Sequence, residues 1–287
     1  MSQLRIAARL STALPAVLLM IATAACTPAV VSEAPATAST EAPPAAPAGA
    51  TLAQFFDKYD EAQLSLSPQG KAYRGIRDAD YGRWNDVSDE AAVASHKLQQ
   101  ASAEAMRASF DPATLSTDDA LSFELFNAQA ERAERLFAYR DHGYVFDQMN
   151  GAQSQLPAFL INIHRVANVA EAEAYVERIR GLGPLLDTLS AQSADRMAKG
   201  YAPPKWVYAY VISDIDNLLK PDNAVVEDIA AKVGKLEIDA VEKARLIAAA
   251  KTAWTDSAGP AYARLQTEMK RQQALASTQD GVWRMPE

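Results

Sequence analysis

The side chains best suited to metal binding or nucleophilic chemistry are scarce in this sequence of 287 residues. Three histidines, His96, His142 and His164, and a single cysteine, Cys26, are its only nitrogen and sulfur ligands of the kind that zinc sites use. No HExxH, GxSxG, P-loop or GxGxxG motif occurs in the chain. Each histidine is therefore interpreted as a surface or hydrogen-bonded residue rather than as a metal ligand or a catalytic base.

Closely spaced aspartates are the next candidates for metal binding or acid–base chemistry. Asp78, Asp80 and Asp89 have a spacing that resembles a calcium loop, but a glycine stands where a ligand is needed and an arginine replaces the turn glycine. Asp214 and Asp216 are two residues apart, which directs them to different faces of a helix. The sequence therefore predicts solvated acids at these positions, with neither a metal site nor a catalytic carboxylate pair.

Aromatic side chains are concentrated in the ten residues 201–210. Their combined surface could line a groove for a peptide or a sugar, and packing in the core is the more common use of such residues. The segment contains Tyr201, Trp206, Tyr208 and Tyr210, with Pro203 and Pro204.

The first 26 residues have the pattern of a bacterial lipoprotein export signal. Arg5 and Arg9 precede an apolar run at 13–22, which is too short to span a bilayer but suits the core of a signal peptide. Small residues then lead to Cys26, where such a signal would be cut and the new N-terminus lipidated, although Thr23 replaces the usual aliphatic residue. A buried structural cysteine is the alternative. We expect a signal peptide over 1–25, lipid on Cys26 and a location in the cell envelope, facing the periplasm.

Residues 26–50 form a segment of different composition, rich in proline and alanine and without any aromatic residue. Such a segment cannot bury enough apolar surface to become ordered, so we expect a tether between the lipid and the folded part. The whole chain carries 36 acidic and 28 basic residues, a net charge of −8, without a dense basic run. Nucleic acid is therefore not expected as a partner, and the lipid on Cys26 is the expected attachment to the membrane.

Residues 51–287 predict a mainly α, multi-helix domain. Ser88, Ser116 and Asn168 each stand where a helix N-cap is expected. The helix after Ser116 is predicted to carry two adjacent rows of mostly apolar residues, and a later helix is predicted through Ile238, Val241 and Ala248. The first row contains Leu121, Leu125, Ala128, Arg132 and Leu136, and beside it lie Phe126, Ala130, Ala133 and Phe137.

Glycine and proline residues predict where the helices end. A break is expected at 181–184, where two glycines and Pro184 fall within four residues, and Gly200 is expected to end the following helix. Residues 206–211 are β-prone in composition, but Val207, Val211 and Leu218 are spaced for a helix, which we favour.

Several segments of the chain resemble the bacterial lipoprotein family known as domain of unknown function 885. The similarity covers essentially all of residues 51–287 and rests on loose patterns rather than on a catalytic signature. The matching segments are SP at 67–68, WND at 84–86, QLPAFL at 155–160 followed by His164, AEAEAY at 170–175 followed by Arg178, GYAPP at 200–204 with residues 207–217, and GVWRMP at 281–286.

This resemblance implies the N-terminal half of a mostly helical, zincin-like metallopeptidase fold. In that family an HExxH-type motif in the C-terminal half supplies the zinc-binding histidines and a glutamate base. No residue of this chain matches that motif, so no zinc ligand and no catalytic residue is transferred to it, and zinc is expected only in the absent C-terminal half. The sequence therefore predicts a truncated, metallopeptidase-like protein.

Three hypotheses about function remain open at this point. The chain is an inactive fragment of a zinc peptidase with an exposed apolar face, or half of an enzyme completed by a separately encoded C-terminal half. The third hypothesis is an independent binding or structural lipoprotein of the cell envelope, with a peptide as a possible ligand. We favour the first.

Overall fold

The computed structural model describes residues 49–286, so the predicted signal peptide, Cys26 and almost all of the tether lie outside the described residues. Ten α-helices form the described part, which contains no β-strand, as the sequence predicted. No helix within it is both long enough and apolar enough to span a bilayer. The helices are α1 Leu52–Ser65, α2 Pro68–Tyr73, α3 Asp89–Ser109, α4 Thr117–Phe137, α5 Ala152–Asn162, α6 Val169–Ala198, α7 Val207–Leu218, α8 Ala224–Gly234, α9 Ala240–Ala253 and α10 Gly259–Leu275.

The helix boundaries follow local capping chemistry. Ser88, Ser116 and Asn168 cap α3, α4 and α6 by accepting a hydrogen bond from the backbone amide three residues further on, at 3.1, 3.2 and 3.0 Å. Gly200, two residues beyond the end of α6, has a φ of +92°, a conformation that favours glycine after a helix. The sequence predictions for the starts of α3, α4 and α6 and for the end of α6 are therefore confirmed.

The buried side chains form two main cores. The larger core lies among α5 to α10, where the long helix α6 packs against α9, α10 and the π-helical turn Trp254–Ala258 that joins them. The smaller core lies among α1, α3 and α4. Its buried residues are Leu52, Phe55, Ala103, Met106, Phe123, Phe126 and Ala130.

The predicted break at 181–184 is wrong, because α6 continues through Pro184. A proline at this position has no amide to donate to the carbonyl of Arg180, four residues earlier. The hydroxyl of Ser257, in the π-helical turn, donates to that carbonyl instead, at 2.6 Å. Gly183 permits this approach, since a Cβ atom there would lie 2.3 Å from Ser257 Oγ. A tertiary contact thus replaces the missing helical hydrogen bond.

The two rows predicted on α4 differ in burial, and the small core accepts the row that contains Phe126 and Ala130. Leu121, Leu125 and Leu136 are 59%, 53% and 52% exposed, whereas Phe123 and Phe126 point into the small core. The aromatic side chains bury more surface than leucine does, and rings of α1 lie within contact distance of Phe126. Helix α4 therefore has two apolar faces, and only one of them is covered within the described residues.

Helix α9 buries residues other than those that marked it in the sequence. Val241 and Ala248 are exposed, while Leu246 and Ala250 are buried in the large core. The helix itself was predicted correctly, but its orientation depends on neighbours that a periodic pattern does not identify.

The contact between Ser257 and Arg180 yields a stability prediction. Ser257→Ala should lower the free energy of unfolding by about 1 kcal/mol, because the Arg180 carbonyl loses its only replacement donor. In a Pro184→Ala background the restored helical amide should reduce that cost to below about 0.5 kcal/mol. Urea unfolding followed by circular dichroism measures all four variants of this cycle.

Thr267→Ala is the matched control. Like the Ser257 hydroxyl, the Thr267 hydroxyl donates to a helix carbonyl, but that carbonyl, of Ala263, lies in the same helix, at 3.0 Å. Residue 267 supplies a normal amide to this carbonyl, so the substitution should cost little. Equal costs of Ser257→Ala with and without Pro184 would show that the two residues are not coupled.

Candidate functional site

The aromatic segment 201–210 is divided between the interior and the surface. Tyr208 is buried in the large core, as are Pro203 and Pro204 at the start of the segment. Trp206 and Tyr210 are 47% and 59% exposed, and their rings are perpendicular with centroids 6.0 Å apart. Core packing, the more common of the two predicted uses, is confirmed for Tyr208, whereas the groove for a peptide or a sugar stays a prediction.

The base of this aromatic pair is held rigidly. Trp206 immediately precedes α7, and the amide of Lys205 donates to the carbonyl of Ser277 at 3.0 Å. On the opposite side of the segment, the ring of Tyr201 stacks on His142 at 4.0 Å. The Trp206–Tyr210 pair therefore projects from a fixed backbone rather than from a free loop.

A buried polar cluster lies behind the segment. The side-chain carbonyl of Gln272 accepts hydrogen bonds from the hydroxyls of Tyr208 and Ser193, both at 3.2 Å. The amide of Gln272 donates to Glu268 at 2.8 Å. Burial raises the pKa of Tyr208 to about 12, so its hydroxyl keeps the proton that it donates. The cluster is satisfied internally and therefore has a structural role.

The three histidines lie in separate environments. His96 stacks on Phe137 at 4.0 Å and contacts Glu134 at 2.9 Å, and His142 lies in a short turn before α5. His164 is 1% exposed and lies just after α5. No group of three or more histidine, cysteine, aspartate or glutamate residues that could hold a metal ion occurs between residues 49 and 286.

His164 forms a buried pair with Arg178 of α6. Nε2 of His164 lies 3.0 Å from the carbonyl of Glu171, and Nδ1 lies 3.1 Å from Nη1 of Arg178. Because arginine only donates, Nδ1 accepts and Nε2 carries the ring proton. Burial, opposed by the Glu171 contact and aided by the charge on Arg178, lowers the pKa of His164 from 6.5 to about 3.

The guanidinium of Arg178 is fully buried and has no carboxylate partner within the described residues. Nε donates to the carbonyl of Arg83 at 3.2 Å, and Nη2 has no hydrogen-bond partner. Three rings surround the guanidinium, with centroids 5.2, 5.6 and 4.6 Å from its central carbon, those of Tyr81, Trp84 and Phe159. Burial lowers the pKa of Arg178 to about 10.

A second internal cation, Lys232 of α8, satisfies the end of α5. Its Nζ donates to the carbonyls of Leu160, Ile161 and His164 at 2.9 to 3.0 Å. It also pairs with the carboxylate of Asp228 at 2.7 Å. That carboxylate accepts a hydrogen bond from the hydroxyl of Tyr175, and burial raises the pKa of this hydroxyl. Lysine near the last carbonyls of a helix is favoured by the helix dipole.

Sequence reasoning assigned no role to Arg178 or Lys232. A signal for Arg178 was present, since it is spaced for the same helix face as Tyr175, Ile179 and Leu182, all of which are buried. A charged residue at an apolar position of a periodic pattern indicates a paired or capped interior charge. For Lys232 the sequence shows only the spacing for an ion pair with Asp228, because the carbonyls that it binds belong to another part of the chain.

The candidate aspartates were predicted to be solvated, and in the structure four of them have side-chain partners. Asp214 accepts from Gln153 at 3.2 Å, and Asp216 accepts from Gln266. Asp78 and Asp80 share the ammonium of Lys71, at 2.9 and 2.6 Å. That contact lowers the pKa of both carboxyls, so the two acids form a surface ion pair network.

Comparison with known proteins places the chain in a family. Residues 68–286 match a family described as a bacterial protein of unknown function (DUF885). The chain belongs to this family. The family resemblance predicted from the sequence is thereby confirmed. No curated protein sequence matches the chain.

The fold of this DUF885 chain is similar to a crystal structure from Colwellia psychrerythraea, of a protein described there as a "putative lipoprotein". The TM-score is 0.67 at 16% sequence identity, and the similarity covers 82% of this chain and 43% of that one. The chain therefore spans less than half the length of this solved relative.

The buried histidine yields a prediction about acid stability. The folded state keeps His164 neutral down to a pH of about 3, whereas the unfolded chain binds a proton below about 6.5. The contribution of neutral His164 to the free energy of unfolding is thus complete above pH 6.5, and it is lost as the pH falls from about 6.5 to about 3. His164→Gln should make the free energy of unfolding, measured in urea across this range, fall less steeply with decreasing pH.

His96→Gln is the matched control, because it removes a histidine and leaves the contacts of Arg178 intact. An unchanged pH slope in His164→Gln would contradict a buried neutral imidazole at this position.

Proposed function

We propose that this chain is an exported lipoprotein of the bacterial cell envelope, attached to the membrane by lipid on Cys26 and facing the periplasm. The basic start, short apolar run and lone cysteine of the first 26 residues support export and lipidation. The description of the solved relative as a lipoprotein agrees with this proposal. Residues 27–50 then act as the tether to the helical domain at 51–287.

We further propose that the chain is the N-terminal portion of a zinc-metallopeptidase-like protein and is inactive alone. The observation that carries this proposal is the coverage of the solved relative, since a matching fold occupies 82% of this chain but only 43% of that one. A longer complete protein would also agree with our interpretation of the sequence resemblance as one to the N-terminal half of the family.

The described residues do not fit a zinc site. Their histidines are dispersed, and no set of three suitable ligands converges between residues 49 and 286. We therefore assign no catalytic step to this chain, and we place the proposed zinc chemistry in the portion of the fold that it does not span.

Intact mass spectrometry of the native protein from its source cells, read together with the DNA after the codon for Glu287, tests both proposals. We expect acyl chains on Cys26 and a species much heavier than the 31.0 kDa encoded here, with HExxH in the continuation or in a neighbouring frame. Such a species should also contain stoichiometric zinc by elemental analysis.

A lipidated species near 31.0 kDa, without any such reading frame nearby, would refute the peptidase proposal and leave the lipoprotein proposal standing. An unmodified Cys26 would refute the lipoprotein proposal alone.

A second candidate function is peptide binding without catalysis. The exposed Trp206–Tyr210 pair favours it, because two rigid perpendicular rings can enclose an apolar side chain or a proline ring. Asp214 lies one turn beyond Tyr210 on α7, and the chain carries a net charge of −8. The surface is therefore best suited to an extended, basic peptide that contains proline.

Fluorescence anisotropy with short labelled peptides that contain lysine and proline tests this second function. Trp206→Ala should weaken binding about tenfold, because the pair loses its larger ring. Trp283→Ala is the matched control, since Trp283 is more exposed than Trp206 and lies outside the pair. Equal effects of the two substitutions, or no binding by the unmodified chain, would contradict the proposal.

A further inference from the structure

The outward face of α4 carries an apolar stripe that nothing in the described part of the chain covers. The stripe is about 22 Å long, given 1.5 Å per residue, and its members share one helix face because they recur at intervals of three and four. All of them are exposed. We call this set the outer stripe: Leu121, Leu125, Ala128, Arg132 and Leu136.

The opposite face of α4 is already occupied. Phe123, Phe126 and Ala130 fill the small core against α1 and α3. Helix α4 therefore cannot rotate to bury the outer stripe without exposing two aromatic rings. Exposed apolar stripes of this size mark interaction surfaces in proteins.

The spacing of four residues in the outer stripe is symmetric about its centre. Leu121 and Leu136 are equally distant from the midpoint between residues 128 and 129, and so are Leu125 and Arg132. We propose that the outer stripe binds a second copy of this chain, with the two α4 helices antiparallel. Leu121 of each copy then packs against Leu136 of the other, and Ala128 lies near the two-fold axis.

A small residue at the crossing point supports this arrangement. Two helices approach to about 8 Å only where the side chains between them are small, and Ala128 meets that requirement. A two-fold axis also makes each contact occur twice, so a short stripe provides a closed interface. A different partner would require no such symmetry in the stripe.

The charges beside the stripe are complementary in the antiparallel arrangement. Glu124, Arg132 and Arg135 are exposed, and none of them forms an ion pair among residues 49–286. Glu124 of one copy lies beside Arg132 of the other, with Arg135 within reach. Within one chain Glu124 and Arg132 are about 12 Å apart along the helix, too far to pair.

The expected dimer is weak. A single pair of helices of this length buries on the order of 1,000 Å² in total, at the lower end of specific interfaces. The oligomeric state should therefore depend on protein concentration.

Sedimentation velocity over a concentration series tests the proposal. The protein is residues 26–287 with Cys26→Ser, which keeps every residue that the structure describes and removes the proposed lipid site. We expect a monomer–dimer equilibrium that Ala128→Glu weakens by at least about tenfold, because two carboxylates then face each other across the axis. Ala248→Glu, at an exposed alanine of α9, is the matched control and should leave the equilibrium unchanged.

A charge exchange tests the antiparallel pairing itself. Glu124→Arg and Arg132→Glu should each weaken the dimer, and the double variant should restore it, because the exchanged charges again lie opposite each other. Residues 124 and 132 do not meet within one chain, so this rescue reports on contact between two copies.

Three outcomes would overturn the proposal. They are a monomer at every concentration, a dimer that survives Ala128→Glu, and a double variant that associates no better than the single ones.

Discussion

The buried guanidinium of Arg178 is the interaction on which the arrangement of α5, α6 and the segment before α3 depends. It joins three parts of the chain, through its own position on α6, through His164 after α5, and through the carbonyl of Arg83. An isolated buried charge is costly, and here carbonyl, imidazole and aromatic faces replace a carboxylate. Because these partners are neutral, each must keep its position for the charge to remain inside, and the cation thereby fixes all three segments together.

Lys232 extends the same constraint to α8. Its ammonium binds three carbonyls at the end of α5, so this short helix is held between two cations, one acting through the imidazole of His164 and the other on the backbone. The segment QLPAFL and the following histidine carry much of the family resemblance. Their contacts in the structure are structural, since His164 is neutral, buried and engaged at both ring nitrogens. In this chain these residues therefore help to close the helical core.

The helix caps were predictable from the sequence, whereas the contacts between distant segments of the chain were not. The caps at Ser88, Ser116 and Asn168 depend on residues three positions away, and all three were predicted correctly. Pro184 was predicted as a break because its missing donor is visible in the sequence, whereas Ser257, which compensates for it, is 73 positions further along the chain. Helix α4 has two apolar faces, and periodicity alone does not show which of them the small core accepts.

The side chains able to do acid–base or metal chemistry and the exposed apolar surfaces lie in different parts of this DUF885 chain. Its histidines and paired aspartates contact other residues of the described part. Two of the exposed apolar surfaces, the outer stripe and the Trp206–Tyr210 pair, belong to helices of different cores. Those cores are built from separate sets of buried residues, so a substitution on α4 has no shared core residue through which to disturb α7. The effects of substitutions on the two surfaces should therefore be additive, because sites without shared partners are energetically independent.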